Sequence, residues 1–100
     1  MVERKIIWSP RAKQDLLEIL DFYNTRNGNK AYSIKLNAII QKSIRKLRTQ
    51  SQIGRNSDIK NIKCLIISDF CVFYEVRPNL IEIVTIWNSN QDPDKLKIQH

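Results

Sequence analysis

An α+β domain in the order βααβββ, with a helical hairpin packed on one face of a small, mainly antiparallel sheet, is predicted by three features of this sequence. Two stretches in the first half carry apolar residues at helical spacing, divided only by a short glycine-bearing break. Three apolar runs in the second half follow at hairpin spacing. A brief apolar segment, Ile6-Ile7-Trp8, precedes them all and stops at Ser9-Pro10.

The elements follow in order. Arg4 to Trp8 reads as a first strand. Ser9 is placed to cap a helix and Pro10 to open it, because the first helical position has no use for the N–H that proline lacks. Ala12, Leu16, Ile19, Leu20 and Tyr23 then form one apolar stripe, with Arg11, Gln14, Asp15 and Glu18 off it. Arg26-Asn27-Gly28-Asn29 breaks the helix, Gly28 supplying the left-handed stop. A second helix runs from about Lys30 to Thr49, with Tyr32, Leu36, Ile39, Ile40, Ser43 and Leu47 on one face and Ile34 and Ile44 widening it. The short connection makes the two helices antiparallel neighbours. Gln50 to Ile59 is loop, and the strands Ile62–Ser68, Cys71–Val76 and Leu80–Trp87 follow, with Arg77-Pro78-Asn79 turning between the last two.

The 100 residues make one domain, 1–100, large enough for a single core without staples. A composition 42% hydrophobic with only two Gly and three Pro excludes a disordered chain. No apolar run approaches the roughly 18 residues of a membrane span. The three apolar residues after Lys5 are too few for a signal peptide, so a cytoplasmic protein is expected. In that reducing compartment Cys64 and Cys71 are expected as free buried thiols. Their spacing matches no zinc site and the one histidine is the terminal His100, so neither a metal nor a cofactor is expected.

Seventeen Lys and Arg against ten Asp and Glu leave a net charge of +7, which suits an anionic partner, nucleic acid or an acidic protein, as well as plain solubility. Lys42, Arg45, Lys46 and Arg48 gather toward the end of the second helix. There they either complement the helix dipole, by roughly 0.3–1 kcal/mol each, or form a docking surface for an anionic partner.

Strand alternation separates the sheet faces. Glu75 shares a face with Cys71 and Phe73, and Glu82 with Leu80, Val84 and Ile86. Burying carboxylates is costly, so these faces should point away from the helices, with Tyr74 in the core. Ile66, Cys71, Phe73, Val84 and Ile86 would then form a contiguous apolar patch on the outer surface, the mark of a binding face.

Four motifs in order resemble the RelE/ParE superfamily of bacterial toxins, over about residues 4 to 97. Ser9-Pro10-Arg11-Ala12-Lys13-Gln14-Asp15-Leu16 is similar to the family's opening, and Ile53-Gly54-Arg55 to its Gly-Arg step after the second helix. Phe70 to Val76 matches the aromatic-Arg-apolar-apolar-Tyr strand, and Ile86 to Pro93 the closing strand with its Asp-Pro step. The resemblance implies the growth-inhibiting toxin of a type II toxin–antitoxin pair, of the kind linked to plasmid stabilisation, held by a cognate antitoxin. RelE-like members cut messenger RNA on the ribosome; ParE-like members inhibit DNA gyrase.

Metal-free RNA cleavage needs a base for the 2′-hydroxyl, cations for the phosphate and an acid for the leaving oxygen. RelE-like sheets supply these with Lys and Arg on the open face and a C-terminal Tyr or His. Here the two strand lysines fall on Ile62 and Cys64, the strand arginine on Cys71, the loop arginine on Asn90 or Gln91, and the tyrosine on Lys97. The resemblance therefore points to the ParE-like branch: a non-enzymatic toxin that binds a protein such as gyrase. The alternatives are an RNA endonuclease with a relocated site (Arg55, Lys60 and Lys63 as cations, His100 as acid) and a remnant that only titrates antitoxin. Outside catalysis, Lys63 reads as a strand-edge charge, Arg55 as a loop closure or partner contact, and Trp87 as core or as an antitoxin anchor.

Overall fold

The computed structural model describes residues 3–88. Strand β1 (Lys5–Trp8) leads into helix α1 (Pro10–Asn27), then α2 (Ala31–Arg45) with a single 3₁₀ turn at Lys46–Arg48. Strands β2 (Arg55–Asn56), β3 (Ile62–Ile67), β4 (Phe70–Val76) and β5 (Leu80–Asn88) follow. The five-stranded sheet has the order β1-β5-β4-β3-β2; every neighbouring pair is antiparallel except β1 and β5. The predicted α+β fold and its order of long elements stand. What the sequence reading lacked is β2, two residues inside the predicted loop that extend the sheet beyond β3.

Local chemistry accounts for the boundaries. The Ser9 hydroxyl oxygen accepts the Ala12 N–H at 3.0 Å and caps α1, while its own proton goes to the Val84 carbonyl at 2.7 Å. One side chain thus starts the helix and docks it on β5. Gly28 ends α1 at φ 70, its N–H on the Asn24 carbonyl. The Asn24 amide oxygen in turn accepts from the buried Ser33 hydroxyl, closing the turn between the helices. A two-residue turn, Ser68-Asp69, joins β3 to β4, with Ser68 at the positive φ of 55 that such tight hairpins need.

The core lies between the helical hairpin and the sheet. Ala12 from α1 and Leu36, Ile40 and Ile44 from α2, with Leu47 beyond, meet Ile67, Phe70, Val72, Tyr74, Ile81, Ile83 and Ile86. The α1 stripe packs as predicted, with Leu16, Ile19, Leu20 and Tyr23 against this cluster. The buried side of α2 is rotated from the expected one: Ser33, Leu36, Ile40 and Ile44 face inward, while Ile34 is 66% exposed and Ile39 42%. A row at positions 33, 36, 40, 44 and 47 satisfies the helical repeat as well as one through Tyr32 and Ile39, so periodicity alone did not choose between them.

The register of β4 against β5 shifts at Phe73/Tyr74. Tyr74 pairs with Ile83 but Phe73 pairs with Thr85, leaving Val84 as an extra residue in β5. Beyond this bulge the alternation of β5 changes phase. Asp15 of α1 fills the irregularity: its carboxylate accepts from the Thr85 hydroxyl, from the Ile86 N–H at 3.1 Å, and from Arg11 at 3.2 Å.

Candidate functional site

The sheet face opposite the helices is the candidate site, and register defines its rows. Ile7 stands opposite Glu82, Glu82 opposite Glu75, and Glu75 opposite Ile62. The next row holds Phe73, Cys64 and Arg55, and the next Cys71 and Ile66. Ile7 and Ile66 are 44% and 51% exposed, Phe73 and Ile62 half-buried, so the face offers apolar contact area between charged margins.

Among the described residues, the carboxylates of this face are internally matched. Glu75 and Glu82 lie directly across from each other, an arrangement that repels. The Arg77 guanidinium spans them, at 3.1 Å from Glu75 and 2.7 Å from Glu82. Arg77 leaves the turn between β4 and β5, so one residue both ends the hairpin and makes paired carboxylates tolerable.

The patch predicted from alternation needs two corrections. Ile86 is 5% exposed and belongs to the core cluster, opposite Val72; the bulge at Val84 swings it to the helix side. Cys71 is not a free thiol: it is joined to Cys64, with Cα atoms 5.9 Å apart. The expectation of two free thiols rested on compartment chemistry. It overlooked that a two-residue turn places residues 64 and 71 diagonally on one face of adjacent strands. Ile66 and Phe73 remain on the open face, and Val84 is half-buried at the bulge. Trp87, opposite Cys71, is 6% exposed and is buried rather than displayed.

The candidate cations do not converge. Arg55 is exposed across from Cys64 on the open face. Lys63 pairs with Tyr74, a helix-side position, and its ammonium donates to Asn56 at 2.9 Å. Lys60 shares with Lys63 a surface hollow that also includes Asn56, Ile59 and Val76. His100 lies outside the described residues, as do Asn90, Gln91, Asp92, Pro93 and Lys97. Lys42, Arg45, Lys46 and Arg48 are all exposed around the end of α2, where Arg48 pairs with Glu3 at 2.9 Å. Arg45 and Arg48 border a groove with Glu3, Arg4, Lys5 and Trp8. Among those residues no three His, Cys, Asp or Glu gather to hold a metal ion, and no helix is long and apolar enough to cross a membrane.

Beneath the face, the Gly-Arg step is locked by Tyr74. The Gly54 N–H donates to the Tyr74 hydroxyl at 2.9 Å, and that hydroxyl donates to the Ser51 carbonyl at 2.9 Å. This fixes where Arg55 enters β2. Burial raises the Tyr74 pKa above the ordinary tyrosine value, while the Gly54 N–H works in the opposite direction. A raised folded-state pKa means that stability is fully present below about pH 10 and is lost as pH climbs through the folded value. Urea denaturation between about pH 8 and about pH 11 should therefore show a steeper alkaline loss for the wild type than for Tyr74→Phe. At the lower pH the variant should be less stable by about 1–3 kcal/mol, because two backbone groups lose their partner. Equal alkaline slopes would show that Tyr74 contributes nothing to the pH dependence.

Two residues important to the site escaped the sequence reading. Asp15, expected off the apolar stripe of α1, instead lies half-buried at its edge beside Ala12, Leu16 and Ile19, and a carboxylate at that spacing was the available signal. Ile7 alternates with Ile6 and Trp8, which pack toward the core, so the first strand carried the same two-face pattern as the others.

Solved structures share this architecture. A chain of the chromosomal ParDE TA system from P. aeruginosa superposes with a TM-score of 0.78 at 22% identity, over 86% of this chain and 96% of that one. YafQ from E. coli strain BL21(DE3) gives 0.51 at 11%, covering 95% and 99%. A chain of the E. coli DinJ-YafQ toxin–antitoxin complex gives 0.50 at 10%, covering 87% and 93%. The chain thus shares its fold with these ParDE and YafQ chains. Residues 6–93 match the family described as ParE toxin of type II toxin–antitoxin system, parDE, and the chain belongs to that family. No curated protein sequence matches it significantly.

Proposed function

We propose that this ParE-family chain arrests growth by binding a protein target, DNA gyrase being the first to test, and that a cognate antitoxin neutralises it in the cytoplasm. The observation that carries this reading is the chemistry of the open face. By the resemblance to RelE-like members, Ile62, Cys64 and Cys71 stand at the strand positions that would carry the cations of a metal-free ribonuclease. Arg55 and Lys5 stand at opposite margins, on the second strand and on β1, rather than around one phosphate. The structural relatives from the ParDE and DinJ-YafQ systems support an antitoxin partner. The net charge of +7 favours an acidic one, through faster encounter more than through tighter final binding.

Expression of the chain alone should stop growth, and the purified chain should inhibit gyrase supercoiling in proportion to its concentration. Programmed ribosomes should keep their message intact. Growth without arrest would leave only an antitoxin-titrating remnant, and message cut in the A-site codon would replace this reading with an endonuclease. The hollow shared by Lys60 and Lys63 is the place where such a relocated site would be sought. Lys63→Ala would then abolish cutting in a chain that still folds.

A further inference from the structure

We propose that Cys64 and Cys71 form a reversible thiol–disulfide exchange site on the open sheet face, reactive toward low-molecular-weight disulfides and thiols of the glutathione type. This goes beyond the toxin reading and does not depend on which target the chain binds.

The cysteines sit on adjacent strands with Cα atoms 5.9 Å apart, inside the range a disulfide spans. Six register pairs and a two-residue turn hold β3 to β4 independently of the sulfurs. Opening the bond therefore leaves the thiols within reach of each other, and closing it again needs no rearrangement of the fold.

Cys64 is half-buried while Cys71 is 9% exposed, so an external reagent meets Cys64 first. Cys71 needs no access of its own, because its step is intramolecular. Arg55 lies directly across from Cys64, is exposed, and has no hydrogen-bond or ion-pair partner among the described residues. A cation there favours the anionic sulfur, which is the form that attacks and the form that leaves.

The Cys64 thiolate attacks one sulfur of a small disulfide, forming a mixed disulfide and releasing one small thiolate. Cys71 gives up its proton to water and attacks the Cys64 sulfur, closing the bridge and expelling the second small thiolate, which takes up a proton. The protein loses two hydrogens and the small disulfide becomes two thiols. Excess small thiol drives the same steps backwards.

The test incubates the native chain in buffers of varied oxidised-to-reduced glutathione ratio, quenches with an alkylating reagent and reads intact and peptide masses. We expect both thiols to appear and disappear with that ratio while circular dichroism stays native. Cys71→Ser should accumulate one glutathione adduct per chain on Cys64, and Cys64→Ser should react at least about 10-fold more slowly. If either variant misfolds, site-resolved alkylation of the reduced wild type decides, with Cys64 expected to react first. A wild type that stays bridged, or stays fully reduced, at every ratio overturns the proposal. So does faster reaction at Cys71.

Discussion

Gly54→Ala should lower the stability of this chain by about 2–3 kcal/mol and its Tm by roughly 10–20 °C. A methyl group at this position would lie 2.5 Å from the Tyr74 hydroxyl oxygen, 2.8 Å from its ring and 3.0 Å from the Cys64 carbonyl oxygen. None of these can withdraw cheaply. Tyr74 is 0% exposed and its hydroxyl is tied to Ser51, while the Cys64 carbonyl belongs to β3. The glycine is required by close approach, not by a left-handed backbone. Because the clash and the hydrogen bond share Tyr74, the two positions should couple. Gly54→Ala should cost less in a Tyr74→Phe background, where the oxygen is gone, by at least about 0.5 kcal/mol in a double-mutant cycle. Urea denaturation of the four proteins measures this. Strict additivity, or a cost below about 1 kcal/mol for the single change, would mean that the loop shifts freely and the lock is unimportant.

Ile83→Ala should cost about 2–5 kcal/mol, the range for a fully buried aliphatic truncated in a packed core. Ile83 is 0% exposed, pairs with Tyr74 at the bulge, and its carbonyl accepts the Ser9 N–H at 2.9 Å. It lies where the start of α1, the register shift and the Gly54 lock converge, so the cavity has little room to collapse. Ile83→Val, which keeps the branched shape, should cost about 0.5–1.5 kcal/mol. Leu17→Ala is the control: Leu17 is 61% exposed on α1, and its loss should change stability by less than about 0.5 kcal/mol. Comparable effects at Leu17 and Ile83 would contradict the assigned core.

Much of this fold was legible because each signal had a single physical reading. Ser9-Pro10 can only open a helix efficiently, Gly28 ends one, and the row from Ala12 to Tyr23 has one inward face. The second helix was less determinate, since Ile34, Ile39, Ile40 and Ile44 allow more than one apolar side and tertiary packing chose. The bulge at Val84 carries no glycine or proline to announce it. Its partner Asp15 is the sixth residue of α1 and distant in sequence, so alternation carried past Val84 misplaced Ile86. The disulfide was hidden for another reason: compartment argued against it, while hairpin register, once known, put the sulfurs side by side. The open sheet face was therefore legible on β3 and β4 and misread on β5.

The parallel pairing of β1 with β5 joins the earliest described strand to the latest. During synthesis on the ribosome the helical hairpin and the β3–β4 hairpin can form from neighbouring residues, but β1 has no ladder to enter until β5 has emerged. Until then the Ile6 and Trp8 side chains lack one wall of their packing. A nascent chain arrested before β5 would thus be an incomplete sheet with exposed apolar surface, and whatever activity the finished chain possesses would be withheld from the ribosome that is making it.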